Sequence, residues 1–140
     1  MSTRADQYTQ LKQTPISYSD FFDGFFAHPI TGDVSKTTND ASIKQSLKNL
    51  IFTDYGERFF QPTIGSFVNR VLFEPNDIIA QTDLKYYITT TITQNEPRIN
   101  LIGITINPNI DQNSVAVNIV FSIINTTTIQ TINLILQRVR

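Results

Sequence analysis

Between residues 39 and 52 the chain reads NDASIKQSLKNLIF, and Ile43, Leu47, Leu50 and Ile51 return at the interval of one helical face. Lys44, Gln45, Lys48 and Asn49 fill the other side, Asn39 or Asp40 is placed to cap the start, and Gly56 follows as a stop. A second helix is predicted over about 77–95, where Ala80, Leu84, Tyr87, Ile88, Thr91 and Ile92 form a stripe. Local signals conflict there, because YYITTTIT is rich in β-branched and aromatic residues and also alternates like a strand. The length of the stripe decides for helix, with Asn76 or Asp77 as cap and Pro97 disfavouring helix at Glu96. After Arg98 the pattern changes to apolar or alternating runs at 99–107, 115–124 and 127–139, separated by PNIDQNS and NTT. Connections this short suit antiparallel strands, since parallel crossovers need a dozen residues or more. Val115, Val117, Ile119, Phe121 and Ile123 then share one face, the one that meets the helices.

The expected fold is α+β: two main helices packed on one face of a three-stranded antiparallel sheet, in a single domain over 18–140. Residues 1–17 are polar and aperiodic and read as an extended N-terminal arm. Residues 18–33 are dense in Phe and broken by Gly24, Pro29 and Gly32, which predicts a folded loop with its rings tucked under the core. Over 56–75, Pro62 and Gly65 punctuate a loop, followed by a short helical piece with Phe67, Val71 and Leu72 on one side.

Composition narrows the function classes. With 11 basic against 12 acidic residues and no Lys/Arg stripe, the chain lacks the basic surface a nucleic-acid binder needs. No stretch has the apolar length of a signal peptide core or a bilayer span, so no membrane partner is expected. Without cysteine there is no disulfide framework or thiolate nucleophile. Few charges among many Thr, Asn and Gln favour a subunit of an assembly over a free monomer.

Candidate chemistry is sparse. The single histidine, His28, makes no His-rich metal site, and its default role is a hydrogen-bonded structural one; neither a metal nor another cofactor is expected. GxSxG, GxxxxGK[ST] and HExxH are absent. Glu57, Glu74 and Glu96 could supply the two carboxylates of glycoside hydrolysis, but most soluble chains hold as many, and the chain has no tryptophan to build a sugar cleft. Glu96-Pro97-Arg98 is more specific. The proline stiffens an extended segment in which Glu96 and Arg98 point the same way. Such a pair serves equally as a recognition handle for another protein or as an internal ion pair closing the junction.

In order and spacing, HPITGDV, NDASIKQSLKNLI, GERFFQPTIGSFVNRVLFEP and NEPRI before a strand-rich tail resemble the small baseplate-wedge protein, or sheath initiator, of contractile-tailed phages. The resemblance runs from about residue 18 to the C-terminus and extends to the small baseplate subunit of type VI secretion. It implies a structural, non-enzymatic subunit of the virion's tail baseplate, assembled in the host cytoplasm, with six copies per baseplate. By that likeness Glu96, Pro97 and Arg98 match the motif that contacts the core bundle of the larger wedge subunits. Arg58, Phe59, Pro62 and Gly65 match a loop motif that holds the loop's shape. The strand-rich part would accept or imitate strands of the tail sheath protein and template the first sheath ring. An older family name carries the word lysozyme, so a peptidoglycan-degrading tail lysozyme, using Glu57 or Glu74, is the alternative.

Overall fold

The computed structural model describes residues 18–75, 77–109, 113–124 and 128–137; the N-terminal arm over 1–17 lies outside them. The first element was not anticipated. β1 (Ser19–Phe21) and β2 (Lys36–Thr38) pair antiparallel, Ser19 facing Thr38. Between them the chain turns on His28, whose Nδ1 accepts from the Ile30 and Thr31 amides, the structural role expected of it. The Phe rings of this segment do not enter the core: Phe21, Phe22, Phe25 and Phe26 are 56, 40, 70 and 68% exposed. The expectation of tucked rings is corrected, because the space between helices and sheet is already filled by aliphatic side chains and Phe121. The hairpin lies outside that layer, on the flank of the first helix, and Gln45 Nε2 ties it there through the Phe21 carbonyl.

α1 (Asn39–Phe52) follows β2 without a loop and buries Ile43, Leu47, Leu50 and Ile51. Its capping differs from expectation. Thr38 stands at the N-cap with no side-chain cap bond. Asn39 adopts φ +51, a conformation Asn tolerates, and its Oδ1 accepts from the Tyr18 amide, while Asp40 accepts from Gln130 Nε2 on a distant strand. Both side chains are drawn off by tertiary partners.

α2 (Val68–Leu72) buries Val71 and Leu72, but Phe67 sits ahead of it, 39% exposed and stacked on Tyr55 at 4.5 Å. α3 (Ile78–Asn95) settles the conflict over YYITTTIT in favour of helix. Asp77 Oδ1 caps it by accepting from the Ala80 amide at 2.8 Å. Thr82, Thr89 and Thr93 donate their hydroxyls to carbonyls one turn back, so the threonines leave no donor stranded. Ala80, Leu84, Ile88, Thr91 and Ile92 are buried, and burial along this stripe outweighs the β propensity.

β3 (Ile99–Asn109), β4 (Ser114–Ile123) and β5 (Ile129–Gln137) form an antiparallel sheet in that order. β4 is central, and its Val117, Ile119, Phe121 and Ile123 are at most 2% exposed under α1 and α3. Each such side chain contributes about 1.5–3 kcal/mol by leaving water. A bulge at Ile102 separates the pairs Leu101–Phe121 and Gly103–Val120. It switches the inward positions of β3 from odd (Ile99, Leu101) to even (Ile104, Ile106) and leaves Ile102 56% exposed.

Candidate protein-docking site

Glu96 is the C-cap of α3, held off helical geometry at φ −124 and ψ 78 by the proline that follows. Its amide still donates to the Ile92 carbonyl, and two residues on the Arg98 carbonyl accepts from the Ile124 amide at the end of β4. Three elements thus meet at this junction. Glu96 and Arg98 project to one side as expected, but Pro97 and Arg98 form a turn and not the extended run that was expected to align them. Arg98 grips the carboxylate as a fork, Nε to Oε1 at 2.5 Å and Nη2 to Oε2 at 2.8 Å. Ser46 of α1 donates to the same carboxylate at 2.8 Å, and the Arg98 guanidinium lies 5.6 Å from the centre of the Tyr18 ring.

The pair is therefore an internal brace in its own right. The Glu96 side chain is 4% exposed, that of Arg98 29%, and Pro97 is exposed between them. Burial pushes the Glu96 pKa up, but the bonds from Arg98 and Ser46 outweigh it and hold the carboxyl below its ordinary 4.5. The same bond raises Arg98 above its ordinary value against the opposing effect of burial. What faces outward is the proline ring and the outer edge of a fixed guanidinium, a shape settled before any partner arrives.

The second motif splits in two. Pro62 and Gly65 shape the loop: the Pro62 carbonyl accepts from the Gly56 amide at 3.0 Å. A Cβ on Gly65 would fall 2.7 Å from the Asp54 carbonyl, so only glycine fits. Arg58 and Phe59 face outward, Phe59 and Phe60 being 97 and 99% exposed. Arg58 lines a cavity of about 430 Å³ whose wall includes Glu96. The cavity brings the two motifs to one place. The β1–β2 hairpin and α1 complete it, through Phe21 and Asn49 among others.

Sequence reasoning missed Ser46 and Tyr18 as partners of the pair. Ser46 had a signal: it stands one turn after Ile43 and before Leu50, a polar residue beside an apolar stripe. Tyr18 had none. The carboxylates of the hydrolase alternative do not converge. Glu57 accepts from the Asp54 amide within its loop, and Glu74 lines a separate, largely apolar hollow of about 250 Å³ with Leu72, Leu84 and Val115.

Comparison with known proteins gives this geometry a family. The structure resembles a candidate tail lysozyme of Geobacter sulfurreducens (TM-score 0.65, 19% identity, 70% of this chain and 89% of the other). It also resembles a chain of the anti-feeding prophage baseplate (TM-score 0.62, 20% identity, 88% and 87%). At these identities both likenesses speak for the fold alone. In sequence, the chain is 33% identical over 93 residues to baseplate wedge protein gp25 of Enterobacteria phage T4, covering 66% of this chain and 70% of that one. Residues 37–128 match the family model described as baseplate wedge protein gp25. The chain belongs to the gp25 family of baseplate wedge proteins, structural components of the contractile tail's baseplate.

Proposed function

We propose that this wedge protein is a non-enzymatic joint with two faces. Through Pro97 and Arg98 it docks on the core bundle of larger wedge subunits, and through the free edge of its sheet it takes up a strand of the tail sheath protein. Six copies, one per wedge, would template the first sheath ring.

One observation carries the sheath-facing role. β3, β4 and β5 contain no Asp, Glu, Lys or Arg, and among the described residues β5 pairs with β4 alone. Exposed edges are usually blunted by charge, proline or a bulge, because their unpaired backbone groups invite another strand. β3 carries two such devices, the bulge at Ile102 and Pro108. β5 carries neither, nor a glycine, over nine residues. It is an open template for strand addition. Removing residues 127–140 would also remove buried Leu134 and Leu136, so a cleaner disruption is Thr131→Lys with Asn133→Lys on the exposed positions of β5.

The docking role is supported by the rigid exposed edge of the pair. Because Arg98 braces Glu96, Arg98→Ala disturbs folding as well as docking; Arg98→Lys keeps the charge and removes the planar fork. In cells producing the whole particle, a tagged wild-type chain should bring down the large wedge subunits and Arg98→Lys should recover far less, with a smaller drop in melting temperature than Arg98→Ala shows. Equal recovery would limit Glu96-Pro97-Arg98 to an internal brace.

A second reading, taken from the name of a structural neighbour, a candidate tail lysozyme, is hydrolysis of peptidoglycan. Release of reducing sugars from purified peptidoglycan, lost in Glu57→Gln or Glu74→Gln, would establish it.

A further inference from the structure

The cavity beside Glu96 has a chemical character that the pair does not explain. It opens between the aromatic hairpin and the loop carrying Arg58, floored by α1 and the end of α3. Its lining amides have already spent donors on the fold. Gln45 Nε2 donates to the Phe21 carbonyl at 2.6 Å, Asn49 Nδ2 to Asp23 Oδ1 at 2.7 Å, and Asn95 Nδ2 to the Thr91 carbonyl at 2.9 Å. These bonds orient the three amides, and each retains a carbonyl oxygen as acceptor beside its second N–H. Asp20 and Asp23 add carboxylates to the same wall. Glu96 is matched by Arg98, which also attracts Asp20, and the one lining cation is Arg58. Phe21 and Phe25, 56 and 70% exposed, supply aromatic faces at the rim.

From this wall we infer that the cavity is a socket for an arginine side chain presented by the protein on which this chain docks. An arginine brings five donors to an acceptor-rich wall, a charge that answers the aspartates, and a planar face that stacks on phenylalanine. The volume, about 430 Å³, admits one such side chain together with water. A lysine would satisfy the charge but neither the fork nor the stacking. The inference rests on the docking reading and adds to it the chemistry of the partner: a basic residue on the surface that meets Pro97 and Arg98.

The test is a titration of the full chain with N-acetyl-arginine amide, followed by NMR at the side-chain amides of Gln45, Asn49 and Asn95. The neutral citrulline counterpart serves as the control. Shifts confined to these resonances, much smaller with citrulline and lost in the double variant Asp20→Asn with Asp23→Asn, are expected. Unmoved resonances, or equal shifts with citrulline, would overturn the socket. So would shifts that emerge only in Arg58→Ala or only in Arg4→Ala with Lys12→Ala, since the occupant would then be the chain's own side chain. The titration contains no wedge subunit, so its failure is distinct from a failure of docking, which the Arg98→Lys pull-down reads separately.

Discussion

In the proposed function, the Glu96–Arg98 junction and the β5 edge would meet their partners in opposite ways. At the junction the contacts that hold the Glu96 carboxylate and the Arg98 guanidinium are side chains: a two-pronged guanidinium, a serine from another helix and a tyrosine ring. At the edge there are no charged side chains, and what a partner meets is a row of backbone groups. A side-chain device is specific and tied to stability, so one substitution damages both folding and docking. A backbone device tolerates most substitutions that keep the strand, and it is blocked by what is added to it.

Both regions hang on one core, and the largest effect comes from breaking that core. Phe121→Ala empties a fully buried position on the central strand and should cost about 3–5 kcal/mol, a large share of a domain's stability. Thermal denaturation would show it, and both interaction faces should fail together. Next comes Arg98→Ala, expected to cost about 1–3 kcal/mol, because the buried Glu96 carboxylate keeps only Ser46 while water reaches the vacated site. Replacing both partners, Glu96→Gln with Arg98→Leu, should cost less than the single change.

A smaller effect is acid dependence. Glu96 has a folded pKa below its unfolded value near 4.5, so its contribution is fully present above that pH and is lost as pH falls through the folded value. Denaturant midpoints measured from pH 6 down to pH 3 should fall more steeply for wild type than for Glu96→Gln. The smallest effect on stability belongs to the edge. Thr131→Lys with Asn133→Lys alters exposed positions and should stay within about 0.5 kcal/mol per substitution of wild type, while abolishing strand uptake.

How much of this was legible in the sequence follows the same divide. Both long helices and the three C-terminal strands could be read, because periodic burial sets them: Ile43 through Ile51, Ala80 through Ile92, and the inward face of β4. The shared direction of Glu96 and Arg98 could be read too, although the turn at Pro97 and Arg98 that produces it was expected to be an extended run. The β1–β2 hairpin could not. Its strands are three residues long, and its exposed Phe rings carry a core-like composition on the surface. The bulge at Ile102 was equally hidden, because it depends on how β3 registers against β4. Within the site, Ser46 was marked only as a polar residue beside an apolar stripe, and its partner lies 50 residues away in sequence, which no local pattern names.

In the proposed function one chain joins wedge and sheath through two separate surfaces. The most direct test is electron microscopy of particles from cells in which the only copy of this protein carries Thr131→Lys and Asn133→Lys. The account predicts complete baseplates that contain the variant and bear no sheath. Normally sheathed particles would contradict it, and so would baseplates from which the variant is missing, because the edge would then serve the wedge and not the sheath.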